Sequence, residues 1–204
     1  MIVTQLVQLS SNRYKVYIDQ EFAFVLYKGE LHIYHIEEGQ NIEKKDYDEI
    51  IHKLLPKRAK LRAMNLLQKK RYTEKQLTDK LKEGYYPEEI TAEAIAYVKS
   101  FHYVDDLQFA VDYITYHEDT KSCRMITGDL LQKGISGEVI KQAFEEWQSQ
   151  GGMQDEMEMI RQWLEKKHYS QEWDEKEKYR MYAFLLRKGF SVDNVNKAIH
   201  MNEI

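Results

Sequence analysis

Three times the chain writes a leucine, two polar residues, a glycine and then a bulky apolar residue: LKEGYYPEEI from Leu81, LQKGISGEVI from Leu131 and LRKGFSVDNV from Leu186. Self-similarity of this kind constrains the fold more than composition does, because each copy must be one supersecondary unit. Gly84, Gly134 and Gly189 each follow a helical pattern and suit the left-handed position just past a helix end, where a Cβ is penalised. The next residue, Tyr85, Ile135 or Phe190, is the apolar contact expected to fold back on the last turn, within reach of Leu81, Leu131 or Leu186. Ser136 and Ser191 are then good N-caps for a new helix, and Pro87 stands where a first helical position tolerates proline. Ile90, Ile140 and Val195 head the apolar faces of these new helices, continued by Ala94 and Val98, Ala143 and Phe144, and Ala198 and Ile199.

Each corner also has a helix before it. LRAMNLLQKK ends near Arg71 and is followed by TEKQ, a capping box with Thr73 and Gln76. LQFAVDYITYH is entered through Asp105 and Asp106, whose carboxylates suit a helix N-terminus. MQDEMEMIRQWLEKK places Met153, Met157, Ile160 and Leu164 on one stripe. The expectation is a mainly α protein with three tandem three-helix units over 57–104, 105–151 and 152–204. One unit of about 45 residues is marginal alone, so the units are expected to share cores or linkers in an elongated, curved array.

Residues 1–56 read differently. IVTQLVQL, RYKVYID, FAFVLY and LHIYHI carry β-branched and aromatic residues in near alternation, which predicts a small antiparallel sheet with a tight turn at Asp19, Gln20 and Glu21. NIEKKDYDEIIHKLL, with Ile42, Tyr47, Ile50, Ile51 and Leu54 at helical spacing, is the predicted cover for that sheet. Pro56 is expected to interrupt it.

Composition excludes several classes of function. Of the 204 residues 43% are hydrophobic and 31% charged, an ordinary globular mixture. The first residues alternate rather than forming a basic region and an apolar core, so a cytoplasmic protein is expected. Cys123 is the one cysteine, so no disulfide framework forms within the chain, and it reads as a half-buried small residue. The seven histidines form no HExxH or paired ligand spacing; His32 and His35, three apart in a predicted strand, would face opposite sides. No phosphate loop, GxGxxG or GxSxG is present, so no cofactor, metal or catalytic residue is expected.

One charge run stands out against a formal net charge of -4. PKRAKLRAMNLLQKKR holds Lys57, Arg58, Lys60, Arg62, Lys69, Lys70 and Arg71 with no acidic residue among them. Such a run is either a solvated basic helix or a contact for phosphate or an acidic protein. Lys121, Arg124, Arg187 and Lys188 are further candidate contacts. A three-helix unit can also be a DNA-reading helix-turn-helix, yet the third helices are acidic or sparse in base-reading donors.

RAMNLLQKKRYTEKQLTDKL, YVDDLQFAVDYI, LLQKGI and RMYAFLLRKGF, in this order, resemble the bacterial RecX family of RecA modulators, and RYKVYIDQEFAFVLY is similar to a strand extension in some members. EDTKSCRMI departs from the Arg-x-x-Gly-like joint often found in that place. The resemblance implies a monomeric array of three-helix units that lodges in the groove of the RecA filament on single-stranded DNA. It implies that the array hampers recombinase and coprotease activity, with weak single-stranded or double-stranded DNA contact and no catalytic residues; no apolar run approaches the ~20 residues a membrane span needs, so no membrane contact is expected.

Overall fold

In a computed structural model, which describes residues 1–200, the chain divides into two compact units, Met1–Asp105 and a second that begins at Asp106. The first unit opens with three antiparallel strands, β1 (Val3–Ser10), β2 (Arg13–Ile18) and β3 (Glu21–Tyr27), paired in chain order. Asp19 and Gln20 take φ of 49° and 73°, the left-handed pair that a two-residue hairpin turn of matching twist requires. Register aligns Leu6, Val16 and Phe24 across the sheet on the core face, and Val7, Lys15 and Val25 on the other.

The expected fourth strand is instead a helix, α1 (Lys28–Ile33). Glu30 decides this: its carboxylate accepts the Tyr27 N–H at 2.7 Å, closing a turn at the end of β3. Leu31 then enters the core while Ile33 stays 69% exposed, so the alternation that suggested a strand is not used. His32 ends up in the helix and His35 in a left-handed turn with φ of 50°, not on opposite faces of a strand.

Pro56 does not interrupt the next helix either. Helix α2 (Lys44–Glu49) runs through a π-helical turn, Ile50–Leu54, directly into α3 (Leu55–Leu67), with Pro56 in the first turn of α3. A proline ring clashes with the carbonyl four residues back in a regular α-helix, and the wider π turn moves that carbonyl aside. Helices α4 (Glu74–Lys82) and α5 (Glu88–Ser100) complete this unit. Thr73 caps α4, accepting the Gln76 N–H at 3.2 Å, as the capping box predicted. Phe24 of the sheet, Ile50, Leu55, Leu77 and Leu81 share one continuous core, so the sheet is stabilised by the first three-helix segment.

The second unit holds six helices among the described residues: α6 (Asp106–His117), α7 (Cys123–Gln132), α8 (Gly137–Ser149), α9 (Glu156–Lys166), α10 (Glu175–Arg187) and α11 (Val192–His200). Ile114, Ile126, Leu130 and Ile140 centre one core, and Ile160, Leu185, Phe190 and Val195 another. Met153 lies outside this packing at 83% exposure, because Asp155 caps α9 and the helix begins after it. Met159 takes its place in the core.

The three corners are equivalent, but one is shifted by a residue. Gly134 and Gly189 adopt φ of 88° and 82°, as their position past a helix end predicts. Gly84 does not; Tyr85 takes the left-handed conformation, with φ of 66°. The closing backbone bonds agree with this shift, running from Tyr86 N to Leu81 O, Ile135 N to Leu130 O and Phe190 N to Leu185 O. Tyr86 therefore corresponds to Ile135 and Phe190, and Leu81 to Leu130 and Leu185. Leu131, the expected contact, is 52% exposed. Pro87 becomes the cap of α5 instead of its first residue. Gly84 is still required, because a Cβ there would lie 2.9 Å from the Tyr86 ring and from the Leu81 carbonyl.

Candidate interaction surface

The basic run separates into residues that hold the fold and residues that face solvent. Arg58 on α3 donates to the Val25 carbonyl at 3.0 Å, pairs with Glu30 and lies 4.8 Å from the Tyr27 ring centre. It ties α3 to the sheet edge and is largely covered. Lys60 pairs with Glu93 of α5 at 2.6 Å and sits over Tyr97. Lys57 and Arg62 are exposed on α3. Lys69, Lys70 and Arg71, read as part of a basic helix, fall in the α3 to α4 connection because α3 ends at Leu67; all three are exposed, with Lys70 4.6 Å from the Tyr72 ring centre.

In the second unit, Lys121 is likewise spent on the fold. Its ammonium donates to Asp129 at 2.7 Å and to the Tyr113 hydroxyl at 2.9 Å, bridging α6 and α7. Burial pushes the Asp129 carboxyl up, but the hydrogen bonds from Lys121 and Tyr113 outweigh it and hold the group below its ordinary value. Burial alone would lower Lys121, and the bonds to Asp129 and Tyr113 raise it instead.

Arg124, in the first turn of α7, and Arg187, the last residue of α10, are exposed where the start of α7 meets the end of α10. Ser122 is buried there; it caps α7 by accepting the Met125 N–H and donates to the Lys188 carbonyl at 2.8 Å. Gln154 reinforces the joint by donating to the carbonyls of Glu118 and Lys121 and accepting the Cys123 N–H. Cys123 is half-buried, its thiol directed at Gln154 Oε1, and burial followed by the charge of Glu156 pushes its pKa up, so it is not poised as a thiolate.

Lys188 brings two aromatic rings into the account, its ammonium lying 4.7 Å from the Trp163 ring centre and 5.6 Å from that of Phe184. Sequence reading passed over Trp163, Phe184, Lys166 and Lys167. The signal was local: Trp163 precedes Lys166 by three and Lys167 by four, and Phe184 precedes Lys188 by four, the helical spacings at which side chains meet. Among the described residues, no group of three or more His, Cys, Asp and Glu side chains could hold a metal ion, and no helix is long and apolar enough to cross a membrane.

The surface is thus one of exposed cations and aromatic rings mounted on repeated helix corners. A regulatory protein RecX from Caldanaerobacter subterraneus subsp. tengcongensis is 33% identical over 203 residues, covering 98% of this chain and 100% of the relative. The chain belongs to the RecX family. The first three-helix domain of RecX matches residues 59–97 and the third matches 154–199. Regulatory protein RecX of Bacillus velezensis is 26% identical over 196 residues, spanning 95% of this chain and 74% of that protein. Two solved RecX structures share the fold: one superimposes with a TM-score of 0.63 at 22% identity over 97% of this chain and 98% of its own. The other, from Lactobacillus salivarius, does so with a TM-score of 0.60 at 23% identity over 73% of this chain and 97% of its own. Membership of RecX makes this chain one of a family of regulatory proteins.

Proposed function

We propose that the chain binds the RecA recombinase filament on single-stranded DNA and modulates it, mostly by inhibiting ATP hydrolysis, strand exchange and coprotease activity. Kinship with a regulatory RecX protein along its full length is the observation that carries this reading. In it the segments 57–104, 105–151 and 152–204 serve as linked contact modules. Linking makes each further contact intramolecular and raises avidity without new contacts. The contacting cations are the exposed Lys57, Arg62, Lys69, Lys70, Arg71, Arg124 and Arg187 together with the half-buried Lys188, whereas Arg58, Lys60 and Lys121 hold the fold. The protein acts as a cytoplasmic monomer.

The rival reading is a helix-turn-helix protein that reads DNA directly. The exposed face of α5 speaks against it, showing Glu88, Glu89 and Glu93 where base reading needs donors. Titration into preformed RecA filaments, beside bare single-stranded DNA at matched salt, tests the proposal. Co-sedimentation with filaments and a fall in ATP hydrolysis are expected. Binding to bare DNA alone, with filament ATP hydrolysis untouched, would reject the filament in favour of the rival.

A further inference from the structure

The end of α5 leaves apolar surface that the fold does not use. His102 takes a left-handed φ of 56° and donates to the Lys99 carbonyl, while the Tyr103 N–H donates to the Val98 carbonyl at 3.1 Å, the same cap that closes the corners at Gly134 and Gly189. At those corners the residue after the left-handed one is buried, Ile135 and Phe190 each at 2% exposure, whereas Tyr103 is 56% exposed. Its ring stacks on Phe101 with centres 5.8 Å apart, and Phe101, more than half exposed itself, meets Tyr97 edge to face at 5.1 Å. Beside Tyr103 opens a cavity of about 300 Å³, lined also by Met64, Leu67 and Gln68 at the end of α3.

Apolar residues exposed singly need no explanation, but three rings in contact beside an open, mostly apolar cavity form a place that can receive another molecule. Cations stand along it. Lys60 lies 5.2 Å from the Tyr97 ring centre, and Lys69 and Lys70, next in the chain after Gln68, are exposed. Glu93, paired with Lys60, offsets one of them. We propose that this face of the first unit receives an acidic helical segment of a partner protein, whose apolar side chain enters the cavity against Tyr103 while its carboxylates meet Lys69 and Lys70. Large rings around a pocket, with charges at the rim, are the anatomy of an interface that is anchored by one or two side chains. A second copy of this chain fits less well, because a two-fold pairing would bring two copies of the same cationic edge together. A nucleic-acid strand would stack on Phe101, yet it would leave the cavity between Met64 and Leu67 unfilled and meet the exposed carboxylate of Glu93. The rings and the cavity belong to the first unit alone, so the proposal stands whether or not the chain engages a RecA filament.

The test uses the full chain and two labelled synthetic helical peptides, one with leucines on one face and glutamates on the other, the second with lysines in place of the glutamates. Anisotropy is expected to show binding of the glutamate peptide and none of the lysine peptide. F101S/Y103S, which changes exposed positions, should bind the glutamate peptide roughly 10-fold or more weakly, the scale of losing an interface anchor. Tyr116→Ser, at a ring 81% exposed in the second unit, should bind as the parent does. K69Q/K70Q should flatten the salt dependence of binding, as the loss of rim charges requires. A thermal melt of each variant establishes that it is folded. Unchanged affinity in folded F101S/Y103S, or equal binding of the two peptides, would overturn the proposal. Oligothymidylate binding that falls in F101S/Y103S would overturn it too, and would assign the rings to nucleic acid.

Discussion

Ser122 Oγ donates a 2.8 Å hydrogen bond to the carbonyl oxygen of Lys188, so the residue that caps the start of α7 also closes the end of α10. Gly189, next in the chain, is held against it: a Cβ there would lie 2.4 Å from Ser122 Oγ. The two three-helix segments of the second unit are therefore joined by polar contacts that tolerate little change.

Ser122→Ala removes a buried cap and leaves the half-buried Lys188 carbonyl without its Ser122 donor, and is expected to cost about 2 kcal/mol. Ser136 caps α8 in the same way at an exposed site, so Ser136→Ala should cost only about 1 kcal/mol. Denaturant midpoints of the two variants give the comparison. Equal losses would show that the bond to Lys188 contributes nothing.

The shifted first corner predicts opposite behaviour at two glycines. At Gly134, left-handed, Asn should be tolerated better than Ala and far better than Val, since Asn adopts that conformation most readily. At Gly84, Asn should hold no advantage over Ala, because any Cβ meets the Tyr86 ring. Thermal melts of the five variants decide it, and an advantage for Asn at Gly84 would contradict the shift.

Arg58 and Lys57 are neighbours with different work. Arg58→Ala loses charge-assisted bonds to Val25 and Glu30 and should cost about 2 kcal/mol, whereas Lys57→Ala should stay within about 0.5 kcal/mol. Chemical denaturation measures both. A silent Arg58→Ala would return Arg58 to the contact surface.

Asp129 gives the fold a pH dependence. Its folded pKa is below the ordinary 3.8, so its contribution is present above that value and is lost as pH falls through the lower folded one. Asp129→Asn should therefore be less stable than the parent at neutral pH, with the gap closing below about pH 4. Lys121 is the mirror case: its pKa lies above 10.5, so its share persists below that value and is lost as pH rises through the folded one. Denaturation midpoints over a pH series test this, and a gap that stays constant into acid would exclude the pair as its source.

By itself the sequence determined what local geometry decides: the left-handed Gly134 and Gly189, the Thr73 capping box, the Ser136 cap and the apolar stripes of the third helices. Each depends on residues within one turn of each other, so the physics is written in short range. Tertiary structure decided the rest. At the first corner Arg13 of β2 donates to the Gly84 carbonyl at 3.1 Å, and Lys15 lies 4.2 Å from the Tyr85 ring centre while Phe22 meets that ring edge to face. These contacts reach across about 70 positions of chain, and they offset the cost, roughly 1 kcal/mol, of a tyrosine in a conformation that favours glycine. Leu31 and Ile33 alternate as a strand would, and only the reach of Glu30 to the Tyr27 N–H and to Arg58 of α3 makes them a helix. Charge runs are the least legible, because a carboxylate that neutralises a cation can come from anywhere. Arg58 and Lys57 look alike in sequence, and the fold alone, by setting Glu30 beside one of them, separates a structural cation from a surface one.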